Sequence, residues 1–256
     1  MEKLTLVKVG GAVVEDEESL RALLASFSSI EGPKILVHGG GRRATSVAAK
    51  LGIETKMVGG RRITDADMLD VVTMVYAGLV NKNVVAKLQA NGINAIGLSG
   101  ADLGYMTSDK RPLKDGVDYG FVGDVKKVDA DALKVLLDAG AVPVLCSITA
   151  DGKGQLLNTN ADTIASEAAR AMARLYDVSL VFCFEKKGVL KNPDDDESVI
   201  KTITREDFAS YVADGTVSGG MIPKLENAFA AIDKGVKRVV ITKAEELGND
   251  SGTVIL

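Results

Sequence analysis

The sequence predicts an α/β protein, a three-layer α/β/α sandwich built on a mostly parallel central sheet. Two observations carry this. Short apolar, β-branched runs alternate with longer stretches of helical spacing along the chain, the pattern of βαβ units with helices on both faces of a sheet. Several of the runs also end in glycine, and the carboxyl end of such a sheet is where ligands bind.

Taken in order, the expected strands are 4–9, 34–38, 95–98, 142–148, 178–184 and 238–242, each short, apolar and rich in Val, Ile and Leu. Helical spacing fills the intervals at 17–27, 42–51, 66–91, 131–138, 161–175 and 224–234. The polar stretch 109–129, with glycines at 116, 120 and 123, reads as a loop followed by an antiparallel hairpin. A strand restarts the pattern after Leu175-Tyr176-Asp177, so two lobes are expected, 1–175 and 176–256. No internal repeat or low-complexity tract interrupts them.

Composition narrows the classes. The 256 residues are 46% hydrophobic and 26% charged, enough to bury a core and too apolar for wholesale disorder. The net charge of −4 argues against a nucleic-acid partner. One His and two well-separated Cys cannot form a usual tetrahedral zinc site, and they imply no disulfide framework. The start Met1-Glu2-Lys3 does not read as a signal peptide, and no uninterrupted apolar run approaches ~18 residues. A cytoplasmic protein without a membrane span is the expectation.

The glycines and a few charges carry the chemistry. Gly10-Gly11, Gly39-Gly40-Gly41 and Ser99-Gly100 each close an expected strand, where a bare backbone presents N–H groups to an anion. Neither a Walker loop nor a dinucleotide fingerprint is present, which sets a Rossmann oxidoreductase aside. Lys8 lies inside a strand whose neighbours want burial. It is either an edge residue reaching water or a cation aimed at phosphate, because an uncompensated buried ammonium costs several kcal/mol, roughly. Lys224 sits in the first turn of an expected helix after Gly219-Gly220, opposing the helix dipole by about 0.3–1 kcal/mol. A solvated face would tolerate that, and a polyanion would reverse it. In Asn158-Thr159-Asn160-Ala161-Asp162, Asn160 is a helix cap, and Asp162 is explained equally by the favourable first turn or by a role in a site. Arg62 reads as a solvated arginine or as a carboxylate clamp.

In order, the segments Lys8-Val9-Gly10-Gly11, His38-Gly39-Gly40-Gly41, Arg62-Ile63-Thr64-Asp65, Val80-Asn81-Lys82, Gly97-Leu98-Ser99-Gly100-Ala101-Asp102, the hairpin 120–125, Asn158 to Asp162 and Gly219 to Lys224 resemble the amino-acid kinase family. The likeness covers nearly the whole chain. The hairpin with the Asn-x-Asn-Ala-Asp motif points to the branch that phosphorylates an N-acyl-L-glutamate in arginine biosynthesis, rather than to carbamate or uridylate kinases. The resemblance implies a carbamate kinase-like fold. It also implies Lys8 and Lys224 on the transferring phosphoryl group, and Asp162 holding both lysines. Gly40 and Gly41 become backbone donors to the acyl amino acid, with Arg62 and Asn158 gripping it. ATP would lie over Gly10, Gly11, Glu185, Lys186, Lys187, Gly188, Val189, Leu190, Thr216, Val217 and Ser218, bringing Mg²⁺ with it and needing no metal site in the protein. The residues suit that chemistry: a glutamate carboxyl ionises near pH 4.3 and needs no general base, only positioned cations.

Two departures stand out. Relatives usually carry Asp-Val-x-Gly-Leu where this chain has Glu185-Lys186-Lys187-Gly188-Val189-Leu190, and Arg42, Arg43 and Arg61 add charge beside the glycines and Arg62. The arginines are a solvated patch or a receiver for a second carboxylate, as in N-succinyl-L-glutamate. The resemblance further implies a homodimer without arginine feedback, because the N-terminal helix that accompanies hexamers in the family is missing. Another kinase of the family and a catalytically silent amino-acid sensor on the same fold are the competing readings.

Overall fold

A computed structural model describes residues 1–113, 115–219, 221–248 and 252–256. Lys114, in the expected 109–129 loop, and Gly220, in the turn before Lys224, lie outside the described residues. The α/β class holds, with parallel pairing dominating the larger strands.

By contacts the chain forms two compact units, one made of Met1–Ile35 with Ala165–Leu256 and the other of Leu36–Ile164. The first thirty-five residues therefore group with the C-terminal segment, not with the residues that follow them. The reason is strand pairing: Lys3–Val9 runs parallel to Asp177–Phe184 along its full length, Lys3 opposite Asp177 through Val9 opposite Cys183.

In the first unit the hydrogen-bonded strand order is Thr202–Ile203, Thr253–Ile255, Arg238–Lys243, Asp177–Phe184 and Lys3–Val9. Only Arg238–Lys243 with Thr253–Ile255 is antiparallel. Leu4, Leu6, Val7 and Val9 on one strand and Val178, Leu180 and Cys183 on its neighbour are buried, as expected for strands covered on both faces. Helix Met221–Asp233 packs on Arg238–Lys243.

In the second unit Lys34–His38, which carries the chain across from the first, pairs in parallel with Val142–Leu145, and that strand pairs in parallel with Ala95–Leu98. The expected strand 142–148 is two strands. Val142–Leu145 stays in the parallel sheet, and Ile148–Ala150 joins a four-stranded sheet with Leu156–Asn158, Met106–Lys110 and Gly123–Val128. The chain turns at Cys146-Ser147, where the Ser147 hydroxyl donates to the His38 carbonyl. The stretch expected as a loop followed by a hairpin at 120–125 is arranged differently: the antiparallel pair is Met106–Lys110 with Gly123–Val128, so the first strand starts ahead of 109 and the connecting segment lies between the two strands.

One helical run, Ala66–Ala90, spans 25 residues at a mean hydropathy of 1.2, long and apolar enough to cross a membrane by those measures alone. Half of that window is buried within the fold, as in the core helix of a globular domain. Its middle, Met74–Val80, is a π-helix between Ala66–Thr73 and Asn81–Ala90. Such inserts cluster at functional sites.

Candidate active site

The first unit brings Lys8 and Lys224 to one aromatic ring. Lys8 is a buried residue near the end of strand Lys3–Val9, opposite Phe182 in register. Residues in register on parallel neighbours share a face, and Phe184, two residues on, lies on that face too. The Phe182 and Phe184 rings stack with centroids 6.0 Å apart, 4° from parallel. Lys224 reaches the same ring from the first turn of Met221–Asp233. The ammonium nitrogens lie 5.3 Å (Lys8) and 3.9 Å (Lys224) from the Phe184 centroid, which caps their separation at about 9 Å. Gly10 ends the Lys8 strand beside this ring: its N–H donates to the Cys183 carbonyl, and a Cβ there would sit 3.3 Å from that oxygen and 3.8 Å from the ring. Gly11 begins the helix Gly11–Glu15 and has open space where a Cβ would be.

The remaining nucleotide candidates are mixed. Glu185 and Ser218 are exposed. Lys186 pairs with Asp196 at 2.9 Å and Lys187 with Glu197, both on the following acidic loop. Gly188 is explained by packing, because a Cβ would come 2.7 Å from the Thr253 hydroxyl, which accepts from the Val189 N–H at 2.8 Å. Val189, Leu190 and Val217 are buried, so only their backbones can meet a ligand. The Thr216 N–H is held by the Asp214 carboxylate.

The second unit builds a separate cluster around the triple glycine. Arg62 is fixed by hydrogen bonds to the Gly41 carbonyl at 2.8 Å, the Thr45 hydroxyl at 2.9 Å and the Thr55 hydroxyl at 3.2 Å. Tyr76 lies on the π-helix with its ring against Gly40, where a Cβ would meet it at 2.9 Å. Burial raises the Tyr76 phenol above its ordinary range, while its hydrogen bond with Arg62 pulls the other way. Gly40 thus has to be glycine because the backbone passes directly under an aromatic ring.

Behind the glycines lies His38, fully buried. Its Nδ1 donates to the Gly39 carbonyl at 2.8 Å, and its Nε2 accepts from Asn81 Nδ2 at 3.0 Å. Asn81 Nδ2 also donates to the Val144 carbonyl at 3.0 Å, and Lys82 Nζ donates to Asn81 Oδ1 at 3.1 Å. Carbonyl on one side and amide donor on the other fix the neutral tautomer, and burial lowers the imidazole from 6.5 to about 4, with Lys82 adding to the effect.

Asn158 ends the strand Leu156–Asn158 and donates to the Thr64 hydroxyl at 2.9 Å. Thr64 is held in turn from both sides of Gly120: the Thr64 N–H donates to the Tyr119 carbonyl at 2.9 Å, and the Phe121 N–H donates to the Thr64 carbonyl at 2.7 Å. Asp162 lies in the first turn of Ala161–Met172, its backbone N–H accepted by Asn160 Oδ1 at 2.8 Å. Asn160 is therefore the helix cap that the sequence suggests.

Sequence reasoning did not find Tyr76, Thr45 or Thr55. Nothing in a run of apolar helical residues marks a π-turn, so the ring that roofs Gly40 carried no signal. Among the described residues no group of three or more His, Cys, Asp or Glu assembles to hold a metal.

The family model for the amino acid kinase family matches residues 3–243, and the chain belongs to that family. It is similar to proteins named acetylglutamate kinase: that of Phocaeicola vulgatus is 65% identical over 99% of this chain and 98% of the relative, and that of Parabacteroides distasonis 64% over 99% of each. Among solved structures, a Giardia carbamate kinase superposes with a TM-score of 0.72 over 100% of this chain and 99% of that one, at 13% identity. That likeness is one of fold.

Proposed function

We propose that the protein is an ATP-dependent kinase that phosphorylates the side-chain carboxylate of N-acetyl-L-glutamate to an acyl phosphate, a step of arginine biosynthesis. The observation that carries this reading is the meeting of Lys8 and Lys224 on one ring. Relatives named acetylglutamate kinase, 60–65% identical over nearly the whole chain, support the substrate.

The chemistry asks little of the protein beyond positioning. The acceptor carboxylate is already ionised near neutral pH, so no proton has to be removed. The difficulty is bringing one anion against another and spreading charge over the transferring group, which fixed cations and backbone N–H groups do. Lys8 and Lys224 supply the cations. Gly40 and Gly41 donate backbone N–H groups to the acyl amino acid, Arg62 and Asn158 grip it, and Asp162 keeps the role the resemblance gives it. ATP, bringing Mg²⁺ with it, is assigned to residues 176–256 together with Gly10 and Gly11 of the same compact unit, and the acyl amino acid to the cluster built on Gly40, Gly41, Arg62 and Asn158.

The acyl group is assigned as acetyl. A receiver for the second carboxylate of N-succinyl-L-glutamate would be Arg42, Arg43 or Arg61, all exposed. A cytoplasmic homodimer insensitive to arginine rests on the resemblance alone, and light scattering with and without arginine reads it.

The test is ATP-dependent acyl-phosphate formation, trapped as the hydroxamate, across N-acetyl-L-glutamate, N-succinyl-L-glutamate, carbamate and free glutamate. Hydroxamate from an N-acyl-L-glutamate with matching ADP release is expected. Tight binding of the acyl amino acid without ADP release would turn the assignment to a sensor, and turnover confined to carbamate would move it to another branch.

A further inference from the structure

We infer that Asn81 and Lys82 are positioning residues: a hydrogen-bonded chain from the Lys82 ammonium through Asn81 and His38 to the Gly39 carbonyl fixes the peptide that carries the Gly40 N–H and strengthens that N–H as a donor. This deepens the kinase reading and rests on it for what the Gly40 N–H meets.

Every link is in place. Lys82 Nζ donates to Asn81 Oδ1 at 3.1 Å and to the Gly97 carbonyl at 3.2 Å. Asn81 Nδ2 donates to His38 Nε2 at 3.0 Å, and His38 Nδ1 donates to the Gly39 carbonyl at 2.8 Å. Asn81 and His38 are fully buried, whereas Lys82 is exposed, so the chain runs from a solvated charge into the core. All of these residues, with Gly40, belong to the unit Leu36–Ile164.

The peptide plane then sets the direction of the Gly40 N–H. It shares a trans peptide with the Gly39 carbonyl, and in a trans peptide the two groups point opposite ways. A carbonyl pinned to the buried imidazole therefore turns the Gly40 N–H away from the network. Gly40 is the cap of Gly41–Lys50, so its N–H has no acceptor inside the helix. Bonds in series also polarise one another. A cation on the Asn81 oxygen makes its amide a better donor to Nε2, which makes Nδ1–H a better donor to Gly39 and the Gly40 N–H a better donor to a ligand. The ring has to be neutral for this, and burial keeps it so, lowering its pKa to about 4.

The scaffold is shaped around the chain. A Cβ on Gly97 would overlap Asn81 Oδ1 and sit 2.7 Å from Lys82 Nζ, so the strand Ala95–Leu98 carries no side chain where these two lie on it. The Asn81 N–H bonds back to the Tyr76 carbonyl at the end of the π-helix Met74–Val80, and the same insert sets the Tyr76 ring against Gly40. One helical run thus holds Gly40 directly and Gly39 through His38.

The test uses Lys82→Met, which keeps the stem and removes the charge at an exposed position, and Lys82→Arg, which restores it. Binding of N-acetyl-L-glutamate is titrated by calorimetry without ATP, and steady-state kinetics follow. We expect Lys82→Met to keep the parental far-UV spectrum and KM for ATP, while Kd and KM for N-acetyl-L-glutamate rise roughly three- to tenfold, the worth of one weakened hydrogen bond. Lys82→Arg should recover most of that loss. An independent arm needs no turnover: with one histidine in the chain, ¹⁵N-labelled histidine gives a single Nε2 resonance. Donation from Asn81 holds it upfield of a free imine nitrogen, and Lys82→Met should move it downfield. Parental binding in Lys82→Met, or an Nε2 resonance that the substitution leaves in place, overturns the inference. So does a parent whose imidazole proton sits on Nε2. A parent that binds no N-acetyl-L-glutamate, while Nε2 responds to Lys82, leaves the chain standing and overturns the kinase reading's substrate instead.

Discussion

Acid should destabilise this protein through its single histidine by an amount that can be worked out. His38 is fully buried, donates through Nδ1 to the Gly39 carbonyl and accepts at Nε2 from Asn81. An added proton on Nε2 would face the Asn81 amide donor, in a fully buried position and near the Lys82 charge. Burial first, then Lys82, lowers its pKa from 6.5 to about 4. Between those two values the unfolded chain holds a proton that the native protein does not. Stability from this group is therefore complete above pH 6.5 and drains away as pH falls toward 4, at about 1.4 kcal/mol per pH unit. The full loss is about 3 kcal/mol, a large share of the 5–15 kcal/mol typical of a native protein. The assay is the denaturant midpoint from pH 7.5 to 4 for the parent and for His38→Asn, which keeps a donor for Gly39 and removes the titration. Carboxylates titrate in both proteins, so the difference isolates the imidazole. One histidine also gives one Cε1 proton resonance, which should not move across pH 7.5 to 5. A resonance that titrates near 6.5, or parallel stability curves for the two proteins, would refute the reasoning.

Further outcomes follow from the same geometry. Lys8→Ala and Lys224→Ala should each fold, by an unchanged far-UV spectrum and melting curve, while losing about 10²–10³ in kcat; near-parental turnover in either removes that lysine from the chemistry. Gly40→Ala places a Cβ 2.9 Å from the Tyr76 ring, so stability should drop by about 1–3 kcal/mol in a denaturant titration and KM for the acyl amino acid should rise. Gly120→Ala is worse placed, with φ +71° and a Cβ 2.2 Å from the Thr64 carbonyl oxygen; about 2–4 kcal/mol should be lost, seen as a shifted midpoint at constant slope. Comparing kcat/KM for N-acetyl- and N-succinyl-L-glutamate tests the exposed arginines: a clear acetyl preference leaves Arg42, Arg43 and Arg61 as solvated charges.

Much of the scaffold was legible along the chain. Short apolar runs place Lys34–His38 and Ala95–Leu98 to the residue; the first is buried along its whole length, while the second, an end strand of its sheet, leaves Ile96 exposed. The Asn160 cap and the glycine-ended strands were readable from local sequence as well. The helix Arg205–Ala213 was missed although Thr204 and Asp207 form its capping box, a signal that short helices with little apolar periodicity leave faint. The break of 142–148 at Cys146-Ser147 was not readable, since both halves are apolar and the turn depends on Ser147 finding the His38 carbonyl.

The sequence by itself therefore determined the class of fold, the family and the residue types of the chemistry, since periodicity, glycine and charge are properties of short segments. Only the tertiary structure decided that Lys8 and Lys224 share the Phe184 ring, that the π-turn lays Tyr76 over Gly40, and that His38 is neutral. Each of those is a meeting of groups far apart in the chain, and long-range strand pairing and burial, not local spacing, select it.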